Sequence, residues 1–379
     1  MSTLFVLATA MLCYVYGLYL GVLRLLCLLA PRLRPVETRP GELPTLTVLV
    51  TVRNEEAAIG RRLDNILACD YPRDRLQVIV ASDGSTDGTD EIVRSLRDAR
   101  VVLFTPPAPG GKTRAQNQAL AAASGDVVVF TDAGTTFAVD CLVRLVEPFA
   151  DSLVGAVDGH VLFSTAAGNI VSENQGLYWS YELEVRKAET ELGILAVASG
   201  ACLAVRRELL RPMPESTGED CYLPLDVVRQ KHRVVHCPGA VAHERMEHEG
   251  AREFGARCRM TLRGWQGTWM FPELLDPFRN PGHAFGLWSH KLLRWLSPVF
   301  LIVATAAAAA EAAAGSRPFL AISIAFGAFY VAGLVGWWCD ARRIKARVVG
   351  TPYSFLLANA GFLVGTTKAL LGKTIVRYR

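Results

Sequence analysis

The chain has 379 residues, 51% of them hydrophobic and 20% charged, with a formal net charge of +4 at pH 7. That length accommodates one soluble domain of about 200–250 residues together with apolar segments, and so small a positive charge, clustered beside those segments, gives no reason to invoke nucleic acid. The nine cysteines have no paired metal-binding or redox spacing, which points to reduced thiols rather than a disulfide-built secreted scaffold.

Residues 4–30 form an apolar run broken only by Arg24, enough to cross a hydrocarbon core of about 30 Å. No positive residue precedes it and Arg32, Arg34 and Arg39 follow it, so it reads as a retained anchor, with the bulk of the chain cytoplasmic. Residues 1–31 are therefore expected to be a transmembrane anchor. Between 45 and 250, short apolar runs alternate with amphipathic stretches, the pattern of a sheet covered on both faces. Strands are predicted at 45–52, 77–82, 100–105, 126–131, 154–163, 201–206 and 234–237, and helices at 56–68, 88–98, 112–123, 139–149 and 174–190.

From 251 to 290 the chain turns rich in arginine, aromatic residues and glycine, as expected for amphipathic helices lying on a membrane interface. Apolar runs at 296–314 and 319–338 flank Gly315-Ser316-Arg317-Pro318 and predict a transmembrane hairpin over 291–340, with Arg342, Arg343, Lys345 and Arg347 holding its end on the cytoplasmic side. Glu311, one turn from the hairpin loop, reads as a carboxylate snorkelling to the outer interface. A third apolar segment at 353–372 is expected either to span or to lie in the interface.

Two strand ends carry the chemistry. Val78 to Asp90 reads VIVASDGSTDGTD, and 126–135 reads DVVVFTDAGT. Each closes a buried apolar run with a carboxylate, Asp83 in one and Asp132 in the other, where open α/β sheets bind ligands. After the first predicted strand stands VRNEE, with Asn54 and Glu55, where a nucleotidyltransferase would need a glycine-rich phosphate loop. Gly110-Gly111-Lys112 opens a helix whose amide-rich start suits a diphosphate. Gly218-Glu219-Asp220 places two carboxylates at another helix start, where acidic residues suit a first turn.

Taken together, VLVTVRNEE, SDGSTD, GGK, the aspartate of TDAG and GED resemble a family 2 glycosyltransferase of the GT-A fold. The resemblance implies a Rossmann-like α/β nucleotide-diphospho-sugar transferase domain over 45–250, with transmembrane helices at both ends. It implies that Asn54 and Glu55 face ribose and base, that Asp83 accepts from a uracil edge, and that Lys112 meets the diphosphate. Asp132 would hold a divalent cation, Mn2+ or Mg2+, although Gly134 replaces the second aspartate of the Asp-X-Asp motif. His243 is a candidate further ligand, and Asp220, beside Glu219, is the expected base for single-displacement inversion. Gly200 would help shape the specificity pocket.

Processive members carry Gln-X-X-Arg-Trp in the interfacial helix. The nearest segment here, RCRMTLRGW, lacks the glutamine, but Arg259 and Arg263 stand four residues apart and would share a helix face toward a diphosphate, with Trp265 at the acceptor. Anchoring to anionic lipid is the competing role for those arginines. The implied function is transfer from a UDP-sugar to a lipid-linked or polysaccharide acceptor at a prokaryotic inner membrane. A processive synthase, needing a second copy or an exporter, and a non-catalytic nucleotide-sugar-binding subunit are the alternatives. A transporter is disfavoured by the few apolar segments and by the lack of paired membrane charges.

Overall fold

A computed structural model describes residues 1–29, 43–165, 170–246, 250–342, 344 and 347–374. Arg32, Arg34, Arg39, Arg343 and Lys345, used above to orient the membrane segments, lie outside the described residues.

The soluble part is organised around an eight-stranded mixed sheet: β1 Leu46–Val52, β2 Leu76–Ser82, β3 Val101–Phe104, β4 Val127–Asp132, β5 Thr135–Phe137, β6 Val154–Thr165, β7 Leu203–Arg206 and β8 Arg233–Met246. Its order is β3-β2-β1-β4-β7-β6-β8-β5. The first four positions are parallel, as continuous Val/Ile/Leu runs require when helices cover both faces. β7 then runs antiparallel to β4 and β6, and β8 pairs parallel with β6.

The helices are α1 Ser2–Leu29, α2 Ile59–Leu67, α3 Thr89–Ser95, α4 Lys112–Ala119, α5 Cys141–Val146, α6 Ile170–Glu191, α7 Glu219–Arg229, α8 Gly250–Trp269, α9 Pro281–Trp295, α10 Ser297–Ala313, α11 Arg317–Ala341 and α12 Arg347–Leu370. On one sheet face Ile59, Leu63 and Ile66 of α2 and Leu142 and Leu145 of α5 pack on Val48, Val80 and Val129. On the other, Ala115 and Ala119 of α4 and Leu223 and Val227 of α7 cover Leu49, Ile79 and Phe130. That second cluster continues into Trp265, Trp295 and Phe362, so the core of the sheet runs unbroken into the C-terminal helices.

Two expectations change. The last predicted strand, 234–237, extends to Met246, because a break in register between Gly159 and His160 lets β8 resume pairing with β6 beyond Pro238. The short edge strand β5 then pairs antiparallel with its far half, Thr135 opposite Glu244.

Among the described residues three helices are long and apolar enough to cross a membrane: Ser2–Leu29, Arg317–Ala341 and Val348–Leu370; α9 and α10 meet that test together, bent by 58°. The third apolar segment is thus one of the candidate spans. Gly361 and Gly365 let it approach α8, since a Cβ at either would lie 2.6 Å from the Cβ of Arg257 or of Thr261. Tyr16 of α1 bonds Ser297 at 2.9 Å and accepts from the Asn359 amide at 3.1 Å, tying the first helix to α10 and α12. Glu311 accepts from the backbone N–H and hydroxyl of Ser2, both at 2.7 Å, so its carboxylate caps the start of α1.

Candidate active site

The loops after β1 and β2 are built as one unit. Asn54 takes a left-handed conformation, φ 57°, and its side-chain oxygen accepts from the Thr86 N–H at 2.8 Å while its own N–H donates to Ser85. Asp87 accepts from the Thr89 N–H, and Glu56 from the Gly88 N–H at 2.8 Å. Glu55 is half-buried, and burial followed by the charges of Asp132 and Asp87 pushes its carboxyl up.

Asp83 is only 3% exposed, and its two oxygens accept from the Gly110 N–H at 2.7 Å and the Gly111 N–H at 2.8 Å. The expectation that this carboxylate meets a base edge is corrected to this extent: in the structure it seats the glycine loop. Gly111 has φ 95°, the backbone freedom that lets both N–H groups reach one carboxylate. The loop delivers Lys112 to the end of β4.

There Lys112 Nζ lies 2.6 Å from Asp132 Oδ1 and 2.6 Å from Glu219 Oε1. Burial alone would keep Glu219 neutral, but the Lys112 charge and hydrogen bond hold it below the ordinary carboxylate range. Gly200 makes this reach possible, because a Cβ there would stand 2.6 Å from Glu219 Oε1. Asp220, the next residue, moves the other way: burial and then the Glu219 charge push it up. Adjacent carboxylates with opposite shifts divide into a fixed anion and a proton acceptor.

The long β8 adds a residue that the sequence reading missed. His243 is exposed, opposite Thr136 on the edge strand, so it does not face Asp132 as expected. Glu244, one residue on, turns into the cavity instead, and burial followed by the Asp132 charge pushes it up to about 7. Lys112, Asp132, Gly200, Glu219, Asp220 and Glu244 all line one cavity of about 390 Å³.

The interfacial helix also departs from expectation. Trp265 is buried away from the cavity, its indole N–H donating to Thr366 at 2.9 Å and its ring stacked on Trp269. Arg263 is buried too and donates to the Thr217 carbonyl at 2.8 Å, bracing the turn before Glu219. Arg259 is half-buried and stands outside the cavity lining, so the pair does not converge on a diphosphate. Arg257 and Trp295 take those places in the wall.

Among the described residues no group of three or more His, Cys, Asp or Glu side chains is arranged to hold a metal ion. Asp132 and Glu244, whose charges raise each other's cost, nevertheless suit a cation that brings phosphate oxygens and water as its other ligands.

A parallel-to-mixed sheet that gathers acidic loop ends and a lysine in one cleft defines a GT-A nucleotide-sugar transferase fold. Residues 47–213 match the family model described as Glycosyl transferase family 2. An N-acetylglucosaminyltransferase of Rhizobium meliloti (strain 1021) is 32% identical over 225 residues, 55% of this chain and 52% of that protein. A beta-monoglucosyldiacylglycerol synthase of Nostoc sp. (strain PCC 7120 / SAG 25.82 / UTEX 2576) is 31% identical over 174 residues, 45% of this chain and 37% of that protein. The chain thus spans about half or less of the length of these two relatives. Among solved structures, a mannosyltransferase from Pyrobaculum calidifontis in complex with GDP-Man and Mn2+ superimposes over 98% of this chain and 99% of that one, with a TM-score of 0.74 and 27% identity. The chain carries a family 2 glycosyltransferase domain.

Proposed function

We propose that the protein is an inverting membrane glycosyltransferase that moves one sugar from a nucleotide-sugar to a lipid-linked or glycan acceptor at the cytoplasmic face of a prokaryotic inner membrane. The observation that carries this reading is the convergence of Lys112, Asp132, Glu219 and Asp220 on one cavity.

Lys112, presented by the loop that Asp83 seats, meets the donor diphosphate as its negative charge grows on leaving. Asp132 and Glu244 would hold a divalent cation, which when bound neutralises the leaving diphosphate. Mn2+ in the Pyrobaculum calidifontis mannosyltransferase supports the use of a divalent cation. Asp220, held above the ordinary aspartate range, takes the proton from the acceptor hydroxyl. Glu219 stays ionised on Lys112 and fixes its aim. Asn54 and Glu55 stand beside the donor cleft, where ribose and base would lie.

The donor is UDP-linked by the resemblance of the motifs; GDP-Man in the Pyrobaculum calidifontis structure makes GDP the competing choice. Few candidate spans favour a single transfer over export of a polymer. Calorimetry of UDP and GDP on the purified full-length chain, with and without Mn2+, tests the donor site. Metal-dependent binding of one nucleotide, lost in Asp132→Ala and kept in an Asp220→Asn variant that no longer transfers sugar, is the expected result. Binding of neither nucleotide would overturn the reading.

A further inference from the structure

The catalytic cavity extends well beyond the donor groups. Its wall also includes Met260 of α8, Leu287 and Trp295 of α9 and Phe362 of α12. α12 contains a candidate membrane span, and α9 is the first limb of the bent pair. An acceptor reaching Asp220 therefore passes along apolar side chains borne by the membrane-side helices.

The charges in the same wall are already matched. Among the described residues five lysines and arginines line the cavity, and each has a carboxylate within 3.5 Å. Lys112 pairs with Asp132 and Glu219; Arg186 with Asp158 at 2.9 Å and Glu182 at 3.2 Å; Arg257 with Glu253 at 2.6 Å. Glu182 also takes Arg294 at 2.8 Å and Lys291 at 3.5 Å. Against these five cations the described lining holds six carboxylates, Asp132, Glu182, Glu219, Asp220, Glu244 and Glu253. A phosphate on the acceptor would have to pull a guanidinium from its buried partner or lie among carboxylates, and both are costly. A hydroxyl carries no such cost.

We infer that the acceptor is an uncharged lipid alcohol, not a lipid phosphate; this rests on the transferase reading above. Its hydroxyl oxygen bonds to the anomeric carbon as the bond from that carbon to the diphosphate oxygen breaks. The hydroxyl proton passes to Asp220 and the nucleoside diphosphate leaves with the bonding pair.

The test is native mass spectrometry of the full-length protein released from nanodiscs that contain equal amounts of a diacylglycerol and the phosphatidic acid with the same chains. Sugar transfer is assayed in parallel with UDP- and GDP-sugars. The native chain is expected to retain the diacylglycerol at least fivefold over the phosphatidic acid, and Glu253→Gln, which removes one carboxylate from the cavity wall, to shift that ratio at least threefold toward the phosphatidic acid. Equal retention, preference for the phosphatidic acid, or an unmoved ratio in the variant would each overturn the inference. Retention is read without donor. A chain that prefers diacylglycerol yet transfers no sugar overturns the transferase reading while the lipid class stands.

Discussion

Lys112 Nζ lies 2.6 Å from Asp132 Oδ1, on the carboxylate that the proposed cation would use. The same ammonium neutralises Glu219, which is 3% exposed. On the proposed reading, a lysine placed so would compete with a metal ion while no diphosphate is bound, and would turn to the diphosphate once one arrives.

Replacing Lys112 by methionine strands Glu219 as a buried charge, at a cost of about 3–5 kcal/mol, and exposes Asp132 to cations. The variant is expected to melt earlier, to bind Mn2+ more tightly without nucleotide, and to bind nucleotide more weakly. Calorimetry in both conditions checks this; weaker Mn2+ binding would remove the competition.

Gly134 stands where a second aspartate would complete the Asp-X-Asp motif, and a Cβ there meets nothing within 4 Å. Its φ is not left-handed, so a side chain fits without strain. Gly134→Asp is expected to fold normally and to tighten Mn2+ binding by roughly tenfold, the return from one added carboxylate oxygen. Electron paramagnetic resonance titration of Mn2+ reads the change. An unchanged affinity would place the ion elsewhere.

Glu244 gives a pH dependence of defined sign. Its carboxyl titrates at about 7 in the folded chain, against about 4.3 when unfolded. Between those values the folded state holds a proton that the unfolded state has lost, so stability is complete below about pH 4 and falls as pH rises to about 7. Glu244→Gln, neutral throughout, is expected to be more stable than the native chain at pH 8 by on the order of 2 kcal/mol, with the gap closing toward pH 4. Mn2+ should raise the melting temperature of the native chain more than that of the variant. Thermal melts at the two pH values decide it.

Asp83→Asn turns one of two carboxylate acceptors into an amide donor facing a glycine N–H. About 1–3 kcal/mol of loop anchoring is lost, so Lys112 is no longer presented. Nucleotide affinity should fall at least tenfold although the side chain is buried. Normal affinity would mean that the loop holds its place without Asp83.

The strand ends that carry Asp83 and Asp132 were legible in the sequence, because they are marked locally: a valine-rich run followed by an aspartate announces both the strand and what stands at its mouth. His243 and Glu244 show where such reading stops. Which of two neighbours faces the cavity depends on strand parity, and parity on β8 is set by pairing with β6 across a register break that no local pattern encodes. Trp265 failed for a related reason. Its helix face is decided by Gly264, whose missing side chain admits Trp295 to within 2.5 Å of where a Cβ would stand, and by Thr366 on α12. Those contacts join segments that lie far apart in the chain. The matched charges along the cavity wall were hidden in the same way, since Glu182 meets Lys291 and Arg294 only once α6 and α9 are packed.

The bond from Tyr16 to Asn359 spans 343 positions, and it bears on the order in which the protein is made. α1 carries a hydroxyl whose amide partner on α12 is synthesised 343 residues later. Polar groups left unmatched in hydrocarbon are costly, so the seating of α1, a candidate span, must wait until α12 has been made. A chain stopped before α12 would lack both the Asn359 contact to α1 and the Phe362 side chain that joins the core on the second sheet face.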